Sequence, residues 1–212
     1  MSWEKQKQKY MKMASEFIKQ TDALKFGEFL LTSGKKSPFY IDMRLFISYP
    51  DIFDKLCEIY ARIIQKEISE VDKIAGVPTA GLPIATLTSH KLRLPLIYVR
   101  KEPKPHGKAR MIEGVLNPND NVVLVDDLVT SGKSLISAAG AIRESGGIVK
   151  HAVALLDREQ GGRENLDRER IELHTVVSIS QLLEILRNLG YVDEADYNLA
   201  KEYIREEKSS VN

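Results

Sequence analysis

Two adjacent acids, Asp126 and Asp127, followed by Thr130-Ser131-Gly132-Lys133-Ser134, are the residues here whose types and spacing promise chemistry. Neighbouring carboxylates can accept hydrogen bonds from adjacent hydroxyls of a sugar. A turn of small residues that opens a helix offers backbone N–H groups and the helix dipole to a phosphate monoester. Together these groups suit a phosphorylated sugar. The alternative is an ordinary strand–loop–helix turn in which the acids are solvated or cap the helix. The G-x-x-x-x-G-K-[ST] spacing of a P-loop is absent.

A second candidate is the stretch 100–113, RKEPKPHGKARMIE. Pro103, Pro105 and Gly107 make it a poor helix and a poor strand. It gathers Arg100, Lys101, Lys104, His106, Lys108 and Arg110 on a chain with 31 basic and 30 acidic residues and a formal charge of +1. So balanced a chain has no bulk field for nucleic acid or an anionic membrane, and an anion must be met by such a local cluster. A mobile basic loop can close over a polyanion and exclude water; otherwise it is a solvated charge run. Cys57 is the one cysteine, which excludes an intrachain disulfide and a cysteine-based zinc cage, and it reads as a packing residue.

The elements that position these groups follow from periodicity. Val122–Val125 is a short β-branched run, expected to be a buried parallel strand ending at the acids. Leu135–Glu144 is a helix pattern stopped by Gly146-Gly147. Residues about 2–19 form an amphipathic pattern with Met11, Ala14, Phe17 and Ile18 on one face. Strands near 26–32 and 38–44 flank the turn Ser33–Lys36, a block able to form a small subdomain. A helix starts at Pro50, with Ile52, Phe53, Leu56, Ile59, Tyr60 and Ile63 as its stripe. From Lys73 strands and helices alternate: strands at 73–77, 94–99, 149–156 and 173–177, helices at 80–92, 182–189 and 194–206. That alternation predicts a doubly wound, mostly parallel α/β sheet flanked by helices. Ligands on such sheets lie at the carboxyl ends of the strands, where Val77–Gly81, Asp126-Asp127 and Asp157-Arg158 all fall. With 212 residues, one domain with a full core is expected. The polar amino terminus lacks a signal core and no run is long enough to span a membrane, so the expected compartment is the cytoplasm.

The stretch Asn121–Ser134, NVVLVDDLVTSGKS, resembles the diphosphate-sugar signature of the type I phosphoribosyltransferases. Residues 100–107, Arg-Lys-Glu-Pro-Lys-Pro-His-Gly, resemble the catalytic loop of the orotate phosphoribosyltransferases. Phe26–Phe29, Ser33-Gly34 and Ser37-Pro38 resemble that family's amino-terminal hood. Gly76–Pro78 with Pro83 resembles its diphosphate loop, and Leu156–Gly162 its orotate-reading segment. Thr32 stands where many members carry a lysine. Ala80 stands where bacterial members do, which leaves backbone amides as the main diphosphate ligands.

The resemblance covers roughly residues 20–205. It implies one phosphoribosyltransferase domain over 1–212, with a hood at about 20–48 and a core at about 50–206. The implied activity transfers ribose 5-phosphate from 5-phosphoribosyl 1-diphosphate to orotate, giving orotidine 5′-monophosphate in pyrimidine biosynthesis. Asp126 and Asp127 would hold ribose hydroxyls; with Leu128, Val129, Thr130, Ser131, Gly132, Lys133 and Ser134 they would take the ribose 5-phosphate. Arg100, Lys101, Lys104, His106, Thr79 and Ala80 would meet the diphosphate. Arg158, Thr130 and Tyr40 would hold orotate. Mg²⁺ is implied, held mainly by substrate and water. A homodimer with shared active sites is implied too. Alternatives are transfer to another base, a regulator that senses the diphosphate sugar, or a structural subunit of a larger assembly. With Asn212 last, no decarboxylase domain is expected to follow.

Overall fold

A computed structural model describes residues 2–30, 34–100 and 111–209. Helix α1 (Trp3–Gln20) buries Tyr10, Ala14, Phe17 and Ile18, the i, i+4, i+7, i+8 stripe of a helix lying on a core. Strands β1 (Leu24–Leu30) and β2 (Lys36–Ile41) pair antiparallel as a separate two-stranded sheet. The second strand of this hairpin is shorter than the spacing suggested. The Asp42 carboxylate accepts the Arg44 N–H at 3.1 Å and turns the chain into a 3-10 helix, Met43–Ser48. Helix α2 (Pro50–Glu67) begins at its proline and buries Leu56, Ile59, Tyr60, Ile63 and Ile64.

The remainder forms the expected alternating pattern: β3 (Lys73–Gly76), α3 (Gly81–Leu92), β4 (Leu96–Val99), β5 (Ile112–Glu113), β6 (Asn121–Val129), α4 (Lys133–Glu144), β7 (Ile148–Asp157), α5 (Gly162–Arg168), β8 (Glu172–Ser178), α6 (Ile179–Asn188) and α7 (Glu194–Ser209). The six-stranded sheet runs β5-β4-β3-β6-β7-β8, parallel throughout except at the antiparallel edge strand β5. Successive residues of β6 face opposite cores, as a pleated strand requires. Val123 and Val125 pack with α1, α2 and α6, while Val122 and Leu124 pack with α4 and α5. β6 runs four residues past its apolar stretch, because Asp126, Leu128 and Val129 pair with Ala154, Leu156 and Asp157 of β7. The acids therefore lie within the strand and not beyond it. Cys57 is buried with its Sγ 3.8 Å from the Ile84 carbonyl oxygen, and burial pushes its thiol up to about 12.

Candidate active site

At the carboxyl end of β6 a cavity of about 240 Å³ is lined by Pro78–Ala80 and Asp126–Leu135. Larger hollows of 580 and 710 Å³ lie between α1 and α2 and beside the amino ends of β7 and β8. Neither combines a pair of adjacent carboxylates with the start of a helix. Helix α4 opens at Gly132, at φ 76° in the left-handed region, with no side chain capping its first N–H groups. Those orphan donors face the cavity rim formed by Thr130–Ser134, which is the geometry that takes up a phosphate. The turn is braced from behind: Asn165 Nδ2 of α5 donates to the Ser131 carbonyl at 3.0 Å.

Two glycines allow the walls to meet. A Cβ on Gly81, at the start of α3, would collide with the Val125 carbonyl oxygen and stand 3.0 Å from the Asp126 Cα. A Cβ on Gly162, at the start of α5, would collide with Val129 Cγ1 and with the Thr130 carbonyl oxygen. Thr79 and Ala80 are thereby held against the acids, with a cis bond between Pro78 and Thr79.

The acid pair is short of positive charge. Asp126 is 9% exposed, and burial followed by the neighbouring Asp127 charge holds its pKa well above the carboxylate range. Burial also raises Asp127. Each carboxylate accepts one backbone N–H at 2.9 Å, Asp126 from Asp127 and Asp127 from Leu128. The Tyr60 hydroxyl donates to the Asp126 carbonyl at 2.8 Å and pins the strand beneath them. The field of Arg44, from the 3-10 helix, reaches Asp127 and favours its ionised form.

Beside the cavity lies a second polar nest. The Arg158 N–H donates to the Val129 carbonyl at 2.9 Å, so this arginine begins where β6 ends. Arg158 is 9% exposed, and its guanidinium lies 5.5 Å from the centre of the Phe39 ring, which itself meets Tyr203 of α7 edge-on at 5.8 Å. Burial lowers the Arg158 pKa. Among the described residues, four of the five buried side-chain polar atoms without a hydrogen-bond partner are Arg158 Nε and Nη2, Gln160 Oε1 and the Tyr203 hydroxyl. Native interiors rarely leave such groups orphaned, and a planar polar ligand would satisfy them. Tyr40 is 36% exposed and tilted against Phe29, and its hydroxyl accepts from Arg44 at 3.0 Å. Core packing is therefore not its role.

Asp126 to Ser134, Thr79 and Ala80 come together in the cavity wall, with Arg158 adjoining it. Tyr40 reaches the site through Arg44. Arg100 follows directly after β4, donates its N–H to the Met111 carbonyl at 2.7 Å and pairs with Glu113 at 3.0 Å. Lys101, Lys104 and His106 lie outside the described residues, as does Thr32. Arg44, Phe39, Asn165 and Tyr203 had no motif to mark them. The available signal was Asp42-x-Arg44, a capping acid two residues before a base.

The phosphoribosyl transferase domain family matches residues 48–178. The chain is 41% identical to the orotate phosphoribosyltransferase of Staphylothermus marinus, over 88% of this chain and 90% of that one. Its structure is similar to that of orotate phosphoribosyltransferase from Aeropyrum pernix, with a TM-score of 0.74 and 32% identity, covering 84% of this chain and 99% of that one. It is similar also to UMP synthase of Leishmania donovani, with a TM-score of 0.82 and 32% identity over 92% of this chain, although it spans only 42% of that longer protein. The signature over Asn121–Ser134, the sheet order and these likenesses agree: the chain belongs to the phosphoribosyltransferases and, among them, to the orotate phosphoribosyltransferase family.

Proposed function

We propose that this protein transfers ribose 5-phosphate from 5-phosphoribosyl 1-diphosphate to N1 of orotate, forming orotidine 5′-monophosphate and diphosphate, a step of pyrimidine biosynthesis. The carrying observation is the junction of the two halves at Val129: a phosphate cradle with a buried acid pair on one side, and the orphaned Arg158 guanidinium on the other. The α4 amides and Thr130–Ser134 take the 5′-phosphate. Asp126 and Asp127 accept from the ribose hydroxyls, and a carboxylate ionised there favours the cationic, oxocarbenium-like sugar that develops as diphosphate leaves. Arg158 reads the orotate carboxylate or carbonyl through its planar fork, Tyr40 covers the ring, and Thr130 adjoins it.

The crowded acid pair fits a divalent cation, because added positive charge relieves burial and mutual repulsion together. Mg²⁺, when bound, would supply positive charge to the diphosphate, held mainly by substrate oxygens and water. Arg100, Lys101, Lys104 and His106 supply the remaining positive charge at the leaving group, with Thr79 and Ala80 beneath it, and His106 can protonate a diphosphate oxygen. Among the described residues no helix is long and apolar enough to cross a membrane. We place the enzyme in the cytoplasm, as a homodimer without nucleic-acid partners.

The test is ultraviolet loss of orotate with and without the diphosphate sugar and Mg²⁺, with uracil and adenine as competing acceptors. Consumption of uracil or adenine in preference to orotate would overturn the assignment. Sharing of sites is tested by mixing Lys101→Ala with Asp127→Asn. If the loop crosses between subunits, random exchange restores about a quarter of wild-type activity, since half the dimers are mixed and half their sites intact. If exchange is shown to occur and nothing returns, the loop serves its own subunit.

A further inference from the structure

The amino ends of β7 and β8 carry a different cluster. His151 sits directly across from Glu172 in the β7–β8 register, and His174 lies two residues further along β8. By the pleat all three project from one face of the sheet. The β6–β7 register skips Lys150, and an extra residue of this kind re-aims the side chain after it. His151 Nδ1 and His174 Nε2 stand 3.2 Å apart, with Glu172 Oε2 at 3.5 Å from the first and 3.8 Å from the second. His174 is buried, His151 partly so, and Glu172 is exposed. Asp157 lies six residue steps beyond His151 along β7, so this cluster is about 20 Å from the other end of the strand.

We propose that His151, His174 and Glu172 bind one divalent transition ion of the zinc class, in a site separate from the Mg²⁺-dependent chemistry. Zinc takes imidazole nitrogen at about 2.0–2.1 Å and carboxylate oxygen at about 2.0–2.2 Å, which in a tetrahedron sets neighbouring ligand atoms about 3.4 Å apart. The three observed separations straddle that value, and the longest involves Glu172, whose exposed side chain is free to close it. The outer contacts are those a metal-binding histidine uses. His174 Nδ1 lies 2.7 Å from Glu67 Oε2, which places the ring proton there and leaves Nε2 with its lone pair toward His151 and Glu172. Glu67 is itself held by Trp3 Nε1 at 2.9 Å and Lys7 Nζ at 2.8 Å. Two imidazoles and one carboxylate favour zinc over the hard cations Mg²⁺ and Ca²⁺. The fourth position opens to solvent beside Glu172. An ion there ties the β7–β8 edge, through Glu67, to α1 and α2, so its role is structural.

The experiment uses the full chain, stripped with chelator, dialysed against Zn²⁺ in excess Mg²⁺ and assayed for bound metal. One zinc per chain is expected. At zinc a hundredfold above Kd the Tm should rise by roughly 5–10 °C. His151→Gln and Glu172→Gln should each weaken zinc binding at least tenfold, with far-UV circular dichroism reporting that they fold. His90→Gln, far along the chain on α3, should bind as wild type does. Absence of stoichiometric zinc, or undiminished binding by both folded variants, would reduce the cluster to a His–His hydrogen bond flanked by ion pairs and overturn the proposal.

Discussion

The two ends of the central sheet are built on opposite rules. At the amino ends, polar side chains are matched: Lys73 with Asp120 at 3.2 Å, Asn121 Nδ2 with Asp72 at 3.2 Å, and Glu67 with Trp3, Lys7 and His174. At the carboxyl ends, two acids crowd each other and Arg158, Gln160 and Tyr203 keep buried atoms without partners. Satisfied polar groups stabilise a fold, whereas unsatisfied ones await a ligand. One sheet therefore separates folding from chemistry by direction along its strands.

The contrast breaks most severely at the glycines. Gly81→Ala forces α3 away from the Val125 carbonyl, and displacement of that order costs about a hundredfold in activity. Gly140→Ala, with no heavy atom near its added Cβ, should leave activity intact and raise stability by up to about 1 kcal/mol. Steady-state rates and melting curves of the pair check this; a fully active Gly81→Ala would mean the walls can part without harm.

Next come the acids. Asp126→Asn and Asp127→Asn should each lower kcat/KM roughly tenfold or more, the worth of one charge-assisted hydrogen bond. Asp126→Asn should also stabilise the ligand-free protein, and its sign with pH is definite. The folded carboxyl holds its proton to higher pH than the unfolded one. Wild-type stability is thus complete below the ordinary carboxylate range and falls as pH rises toward the raised pKa. The asparagine variant does not share that loss, so its Tm advantage should widen with rising pH. A constant gap would place the strain elsewhere.

Arg158→Lys keeps the charge and loses the fork, so the KM for orotate should rise several-fold while that for the diphosphate sugar changes little. A change confined to the sugar would reassign Arg158. The smallest effect on catalysis belongs to the other end: Glu67→Gln should cost about 1–3 kcal/mol in urea unfolding and leave kcat untouched. Lost activity there would show that the two ends are coupled.

Much of the frame was legible because parallel strands write themselves as apolar runs. Val122–Val125, Pro50 and the Gly146-Gly147 stop gave the central unit and α2 to within a few residues. The continuation of β6 through Asp126 to Val129 was not legible, since charged residues extend a buried strand only when a neighbour such as β7 pairs with them. Helix α5 is seven residues long and carries too little apolar stripe to announce itself. At the site, the acids and the phosphate turn are contiguous in sequence and could be read. The burial of Arg158 could not, because it is made by Phe39 from β2 and Tyr203 from α7, more than a hundred residues away on one side and about forty-five on the other. His151 and His174 meet only through strand register, which no local pattern encodes.

The close approach at Gly81 and Gly162 has a consequence for how such an enzyme can change. Every side chain larger than hydrogen at either position displaces backbone, so the cavity beside Asp126 and Asp127 cannot be enlarged or reshaped there by single substitutions. On the proposed reading, variation in acceptor preference enters through Phe39, Tyr40, Arg158 and Tyr203, which come from elements packed beside the sheet. A laboratory search for altered base selectivity, on that reading, has four positions to randomise around a fixed cavity.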